Sequence, residues 1–155
     1  MDFRIQGLAP EPFMRLYGLP DGELAKLNAK RYTVDEQPGF PDRIELRDAE
    51  PGETVILANY VHQPADTPYR ASHAVYVREW AKRRFDAINE LPTVLRIRQI
   101  SVRAFSSSHW MIDAELCAGE DLEPLIQRLL SNPGVDYLQL HFAKRGCYAA
   151  RVERS

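Results

Sequence analysis

Cysteine is scarce in this 155-residue chain: only Cys117 and Cys147 occur, in unlike contexts and without C-x-x-C spacing. A disulfide framework or a thiolate metal cluster is thereby excluded, and both thiols are expected to stay reduced. Long apolar runs are missing as well, and the first ten residues, MDFRIQGLAP, lack the apolar segment and cleavage pattern of a secretory signal. The expectation is a cytoplasmic protein with no membrane partner. Nor is there an excess of one charge: 20 basic side chains face 22 acidic ones, so no overall positive field gathers nucleic acid. The basic runs Lys82, Arg83, Arg84 and Arg96, Arg98, Arg103 read as solvated faces. Glycine-rich phosphate loops, G-x-S-x-G elbows and H-E-x-x-H helices are absent, which removes the usual support for nucleotide hydrolysis, esterase and zinc-protease chemistry.

What remains is a globular mixture of 45% hydrophobic and 27% charged residues, enough for one core in one domain spanning residues 1–155. FRIQGL reads as a strand, two short helical segments follow, and KRYTVDE reads as another strand. The proline- and glycine-rich stretch 36–53 reads mostly as loop, with RIEL at most a short strand inside it. TVILANYV, residues 54–61, is apolar on both alternating faces and predicts a central strand covered on both sides. HAVYVR predicts its neighbour and EWAKRRFDAINE a helix. QISVRAF and WMIDAEL predict a hairpin with one buried face, on which Ile100, Val102 and Ala104 alternate in one strand and Trp110, Ile112, Ala114 and Leu116 in the other.

The clearest helix is GEDLEPLIQRLL, where Leu122, Leu125, Ile126, Leu129 and Leu130 fall at helical spacing behind an acidic first turn. VDYLQLHF and CYAARV then form a last strand pair. The sum is an α+β domain: an antiparallel or mixed sheet with its helices packed largely on one face.

Four phrases together carry a resemblance: PGF at 38–40, DAEPGE at 48–53, YVHQPADTPYRASHAVYVRE at 60–79 and AKRGCYAARV at 143–152. The chain resembles, from Phe3 nearly to its end, the bacterial family known as domain of unknown function 1203. The resemblance implies a free-standing cytoplasmic protein and no established activity, cofactor or catalytic residue. Asp42 stands where that family often has cysteine, and His73 and Ala74 where glycine and proline are common. Neither a cysteine at 42 nor a histidine at 73 then belongs to a shared chemistry.

VHQPADTPYRASH, residues 61–73, interrupts the strand pattern and gathers polar groups around two prolines. A long ordered connection on a sheet suits binding. Arg70 offers a bidentate donor for a carboxylate or phosphate, His62 an acid, base or donor, and Gln63, Tyr69 and Ser72 orienting groups, with Arg145 of the AKRGCY turn as a second anion anchor. The bland alternative is that Arg70 pairs with Asp66 or Asp48 and merely fastens the loop. Two functional readings follow, with oligomeric state left open. One is a module binding a small polar or anionic ligand through residues 62–72. The other is an enzyme on a polar metabolite, with His62 or His141 as acid or base and Arg70 or Arg145 holding an anionic group.

Cys147 with His141 would make a nucleophile and its base, but a four-residue AKRG turn pairs His141 with Tyr148 and points sulfur and imidazole to opposite faces. His62, His73 and His141 come from separated segments with no H-x-H or carboxylate-spaced motif, so no metal and no cofactor is expected. His109 reads as an exposed turn residue, and Asp113 with Glu115 as a solvated strand face rather than a glycosidase pair.

Overall fold

A computed structural model describes all residues, Met1–Ser155. Strand accounts for 39% of the chain and helix for 17%, with every sheet antiparallel, so the fold is α+β with a strong sheet bias. The largest sheet has six strands. In spatial order they are β7 (Asp86–Ile88), β1 (Phe3–Gln6), β11 (Tyr148–Arg154), β10 (Tyr137–Phe142), β8 (Gln99–Phe105) and β9 (Met111–Ala118). A second sheet has three, in the order β2 (Lys30–Thr33), β5 (Thr54–Gln63) and β6 (Ala71–Arg78), and β3 (Pro41–Asp42) with β4 (Arg47–Asp48) forms a small ribbon. The helices are α1 (Glu11–Met14), α2 (Asp21–Lys26), α3 (Thr93–Arg96) and α4 (Leu122–Leu130).

Alternation along the strands sorts side chains into two layers. Ile5, Val102, Leu138, Leu140 and Val152 of the large sheet pack with Leu122, Ile126 and Leu129 of α4 into the main core. A second core gathers Leu24, Ile56, Ala58, Val75 and Val77 and takes in Tyr148 from the opposite face of the large sheet. That face is therefore covered by sheet, and helices are not collected on one side as the sequence had suggested. β5 is central in its own sheet, and both its faces are covered at one end. Val55 packs in a small third cluster with Val34 and Ala49, while Ile56 and Ala58 face the second core.

Two expectations fail. Residues 79–90 form no helix but turns and β7, because Phe85 exchanges backbone bonds with Ile44 and Gly7, and Arg84 donates to the Gly7 carbonyl. The segment reads as helix because Trp80 or Ala81, Phe85 and Ile88 recur about one helical turn apart. The second failure is in the hairpin, where Trp110 is 48% and Leu116 56% exposed. A bulge at Ile112 resets the register, so Cys117, Glu115 and Asp113 stand opposite the buried Ile100, Val102 and Ala104. RIEL is likewise a turn, between β3 and β4.

Candidate functional site

The strand parity that buries Ile56 and Ala58 continues to Tyr60 and delivers His62 to the interface between the two sheets. Pairing runs Val61 to Ser72 and then Gln63 to Ala71, leaving His62 as the extra residue of a β-bulge. A bulge turns two successive side chains to one side, and this one sends both His62 and Gln63 inward. From β6, His73 follows the inward parity of Val75 and Val77. From the large sheet, Tyr137, Gln139 and His141 share the face opposite Leu138 and Leu140, so His141 reaches the same space. Three histidines that are far apart in sequence thus present one nitrogen each within 4.8 Å of one another.

Their rings are held by aromatic packing. His62 lies parallel between His73, at 4.7 Å between centroids, and Tyr148, at 5.2 Å, with His141 edge-on to both histidines and to Tyr148. Hydrogen bonds set the tautomer of His62. The Gln139 amide donates to the His62 carbonyl at 3.0 Å, which fixes its orientation and aims Oε1 at His62 Nδ1, 2.7 Å away. His62 therefore donates from Nδ1 and keeps a lone pair on Nε2, which is buried with no partner in the protein. His141 Nδ1 faces the Gly146 carbonyl at 3.0 Å and Nε2 faces Gln139 Oε1 at 3.2 Å; both are acceptors, so a neutral ring donates to one and turns a lone pair toward the other. His73 Nδ1 is also buried and unpartnered.

Burial pushes all three imidazoles toward the neutral form. His141, wholly inaccessible to solvent, is lowered to about 3 by desolvation and by the positive charge of Arg103. His62 falls to about 4, mainly by desolvation and also through His73 and Arg103. His73 shifts the same way, by desolvation and then by Arg103 and Arg43. A buried basic nitrogen that neither protonates nor finds a donor is costly unless something else occupies its lone pair.

The other candidate residues are dispersed. Gln63 is buried and donates to the Tyr137 hydroxyl at 2.8 Å, an oxygen that also meets His109 Nδ1, so His109 is a tethered turn residue rather than a free one. Tyr69 packs edge-on against Phe105 and Trp110. Arg70 is exposed and donates to the Pro64 carbonyl at 2.6 Å, closing the short loop 64–70 upon itself instead of pairing with Asp66 or Asp48. Asp48 is taken by Arg98. Ser72 accepts from Asn59 at the surface. Arg145 sits exposed in the β10–β11 turn, beyond the Phe142 end of β10, whereas the loop packs near the Tyr137 end, roughly 17 Å away at about 3.3 Å per residue. Arg70 and Arg145 do not share a site.

Cys147 does not meet His141. Phe142 bonds to Cys147 through the backbone and His141 pairs with Tyr148, the parity that the four-residue turn requires. The sulfur instead accepts from Arg43 Nη2 at 2.9 Å. Arg43 is 1% exposed, and its other nitrogens donate to the carbonyls of Tyr148 and Pro41 while the guanidinium lies over the Phe142 ring.

Gln139, Arg103 and Tyr148 are parts of the cluster that no motif marked; only the alternation of YLQLHF put Gln139 on the face of His141. No curated protein and no solved structure matches the chain. Residues 39–154 match the model of a protein family of unknown function, DUF1203, and over those three quarters of its length the chain belongs to that family.

Proposed function

We propose that His62, His73 and His141 bind a divalent transition-metal ion whose remaining coordination position takes a small polar or anionic ligand. The observation that carries this reading is the convergence of three neutral imidazoles, two with buried nitrogens that nothing in the protein occupies. Imidazole suits zinc, copper, nickel and iron, and the lack of carboxylates in the set argues against calcium or magnesium. Three protein ligands are the pattern of an open site rather than a closed structural one.

Tetrahedral coordination at about 2.0–2.1 Å per bond spaces nitrogens by about 3.3 Å, so binding draws the set inward and breaks the parallel stack of His62 and His73. His73 is the natural mover, because no hydrogen bond holds its ring as Gln139 holds that of His62 and the Gly146 carbonyl faces that of His141. Gln139 then plays the part of the outer partner that orients a ligating imidazole. A histidine spent on a metal is no free acid or base, which takes His62 and His141 out of those roles in the enzyme reading. The resemblance places glycine more commonly at 73, so the full triad is not expected of every member of the family.

The test is isothermal titration of tag-free, chelator-treated protein with Zn(II). One equivalent should bind, and His73→Ala, a substitution near the surface that spares both cores, should weaken binding by more than the roughly 10–100-fold typical of outer-partner losses. Absence of binding to the wild type, or undiminished binding to His73→Ala, overturns the reading.

A further inference from the structure

Arg103 is an arginine without a partner. It stands on β8 directly opposite Gln139 of β10 and Ala114 of β9, on the sheet face that carries His141. It is half-buried, yet its guanidinium makes a single long hydrogen bond, from Nε to Ser101 Oγ at 3.4 Å, and no carboxylate lies within ion-pair distance. Neither Nη atom has any partner. Other half-buried arginines are engaged: Arg31 and Arg98 each bind a carboxylate, and Arg84 donates from two nitrogens to the Gly7 carbonyl. Arg151, on the other side of Gln139, lies over the Tyr137 ring and reaches Glu153. The only buried side-chain nitrogens without a partner are His62 Nε2 and His73 Nδ1, so the Arg103 fork keeps solvent contact and is free to take an anion.

The charge around the triad gives the same answer. No acidic side chain belongs to the cluster, and Arg103 acts electrostatically on all three histidines while Arg43 acts on His73. Each nitrogen of Arg43 already donates to a protein acceptor, so it contributes field rather than a free anchoring fork. A dication held by three neutral imidazoles beside these cations leaves a large positive charge in a partly dry space. An anionic ligand on the open metal position offsets it.

We infer that Arg103 anchors a small carboxylate ligand, one oxygen of which completes the metal's coordination while the carboxylate accepts from the guanidinium fork. This rests on the metal reading above. Carboxylate is favoured over phosphate by the donors present. Two oxygens are provided for, by the metal and by one planar fork, and no glycine loop or helix terminus supplies backbone N–H groups for a third. Access along β9 is apolar: Leu116 and Ala114 are exposed, and their partners across the ladder, Ser101 and Arg103, lie on the triad's face. A carboxylate with a hydrocarbon body fits that approach better than a polyanion.

The experiment uses tag-free, chelator-treated protein reconstituted with Co(II), whose visible spectrum reports its coordination shell, in wild-type, Arg103→Gln and Arg103→Lys forms. Acetate, butyrate and inorganic phosphate are titrated at fixed ionic strength. The expected result is a spectral change on carboxylate addition that saturates in the wild type, is weakened at least tenfold in Arg103→Gln and is intermediate in Arg103→Lys. Co(II) affinity should be undiminished, because the substitution removes a repelling charge. Equal carboxylate binding in wild type and Arg103→Gln, or a clear preference for phosphate, overturns this inference while sparing the metal reading. Failure of the wild type to take up Co(II) overturns both. Arg103→Lys keeps the charge and the stem, so it remains a test if Arg103→Gln folds poorly.

Discussion

Gln139 Oε1 accepts the His62 Nδ1 proton at 2.7 Å while the same amide donates to the His62 backbone carbonyl at 3.0 Å. This two-point clasp joins β10 of the large sheet to β5 of the small one and decides which histidine nitrogen is left bare. Gln139→Leu keeps most of the volume and removes the clasp. Metal affinity should fall by about 10–100-fold, as for other lost orienting partners. Stability should drop by about 1–3 kcal/mol as His62 loses its acceptor. Zn(II) titration and urea melts measure the two effects separately, and an unchanged affinity would show that Gln139 orients nothing.

Cys147 serves Arg43. Its sulfur is one of only three acceptors for a guanidinium that is 1% exposed, so Cys147→Ala strands a charged donor rather than merely removing a small apolar group. The expected loss is about 1–3 kcal/mol by urea denaturation, above what a half-buried methylthiol alone would cost. Cys147→Ser, which restores an acceptor, should recover part of it. A loss below about 0.5 kcal/mol for Cys147→Ala would mean that Arg43 finds another partner.

The metal-free protein should lose stability as pH falls from 6.5 toward 4. His62 titrates at about 4 and His141 at about 3 in the fold, both lowered chiefly by desolvation, against 6.5 when unfolded. Between those values the unfolded chain binds more protons. Their contribution is therefore fully present above pH 6.5 and is lost on acidification, at no more than about 1.4 kcal/mol per pH unit for each group. Glu53 and Glu79, each held at about 2 by arginine partners, weaken the fold only below about 4.5, so above that pH the histidines act without them. Urea midpoints from pH 7.5 to 4.5 test this, and a flat profile would contradict it.

Arg70 closes its own loop through one bond to Pro64 and stays exposed. Arg70→Lys should shift stability by no more than about 0.5 kcal/mol and leave metal and carboxylate binding untouched. A marked fall in ligand affinity in this variant would return the site to the loop.

Periodicity made much of this fold legible. The leucines of α4 and the start of β5, where Val55 and Ile56 are buried on opposite faces, could be read from spacing, because burial on a fixed face leaves a mark at every third or second residue; farther along, Val61 is exposed and the double covering ends. Tertiary features without a period could not. The bulge at Ile112 exchanged the faces of β9, and residues 79–90 were drawn into turns and a short strand by distant backbone partners. The site followed the same rule. His62 was legible as a polar residue leaving an apolar strand, but its bulge and its approach to His141 and His73 depend on how one sheet lies on the other. Arg103 looked like a solvated strand residue because nothing in its neighbourhood of sequence tells that its face is covered.

The decisive property of the site is whether its three imidazoles take hold of one ion. X-ray absorption spectroscopy on the protein loaded with one equivalent of Zn(II) asks this directly. It should show three imidazole nitrogens at about 2.0–2.1 Å with one lighter oxygen-type neighbour, and two imidazoles in His73→Ala. A shell of oxygens with at most one imidazole, unchanged by that substitution, would place the ion elsewhere on the surface and contradict the central claim.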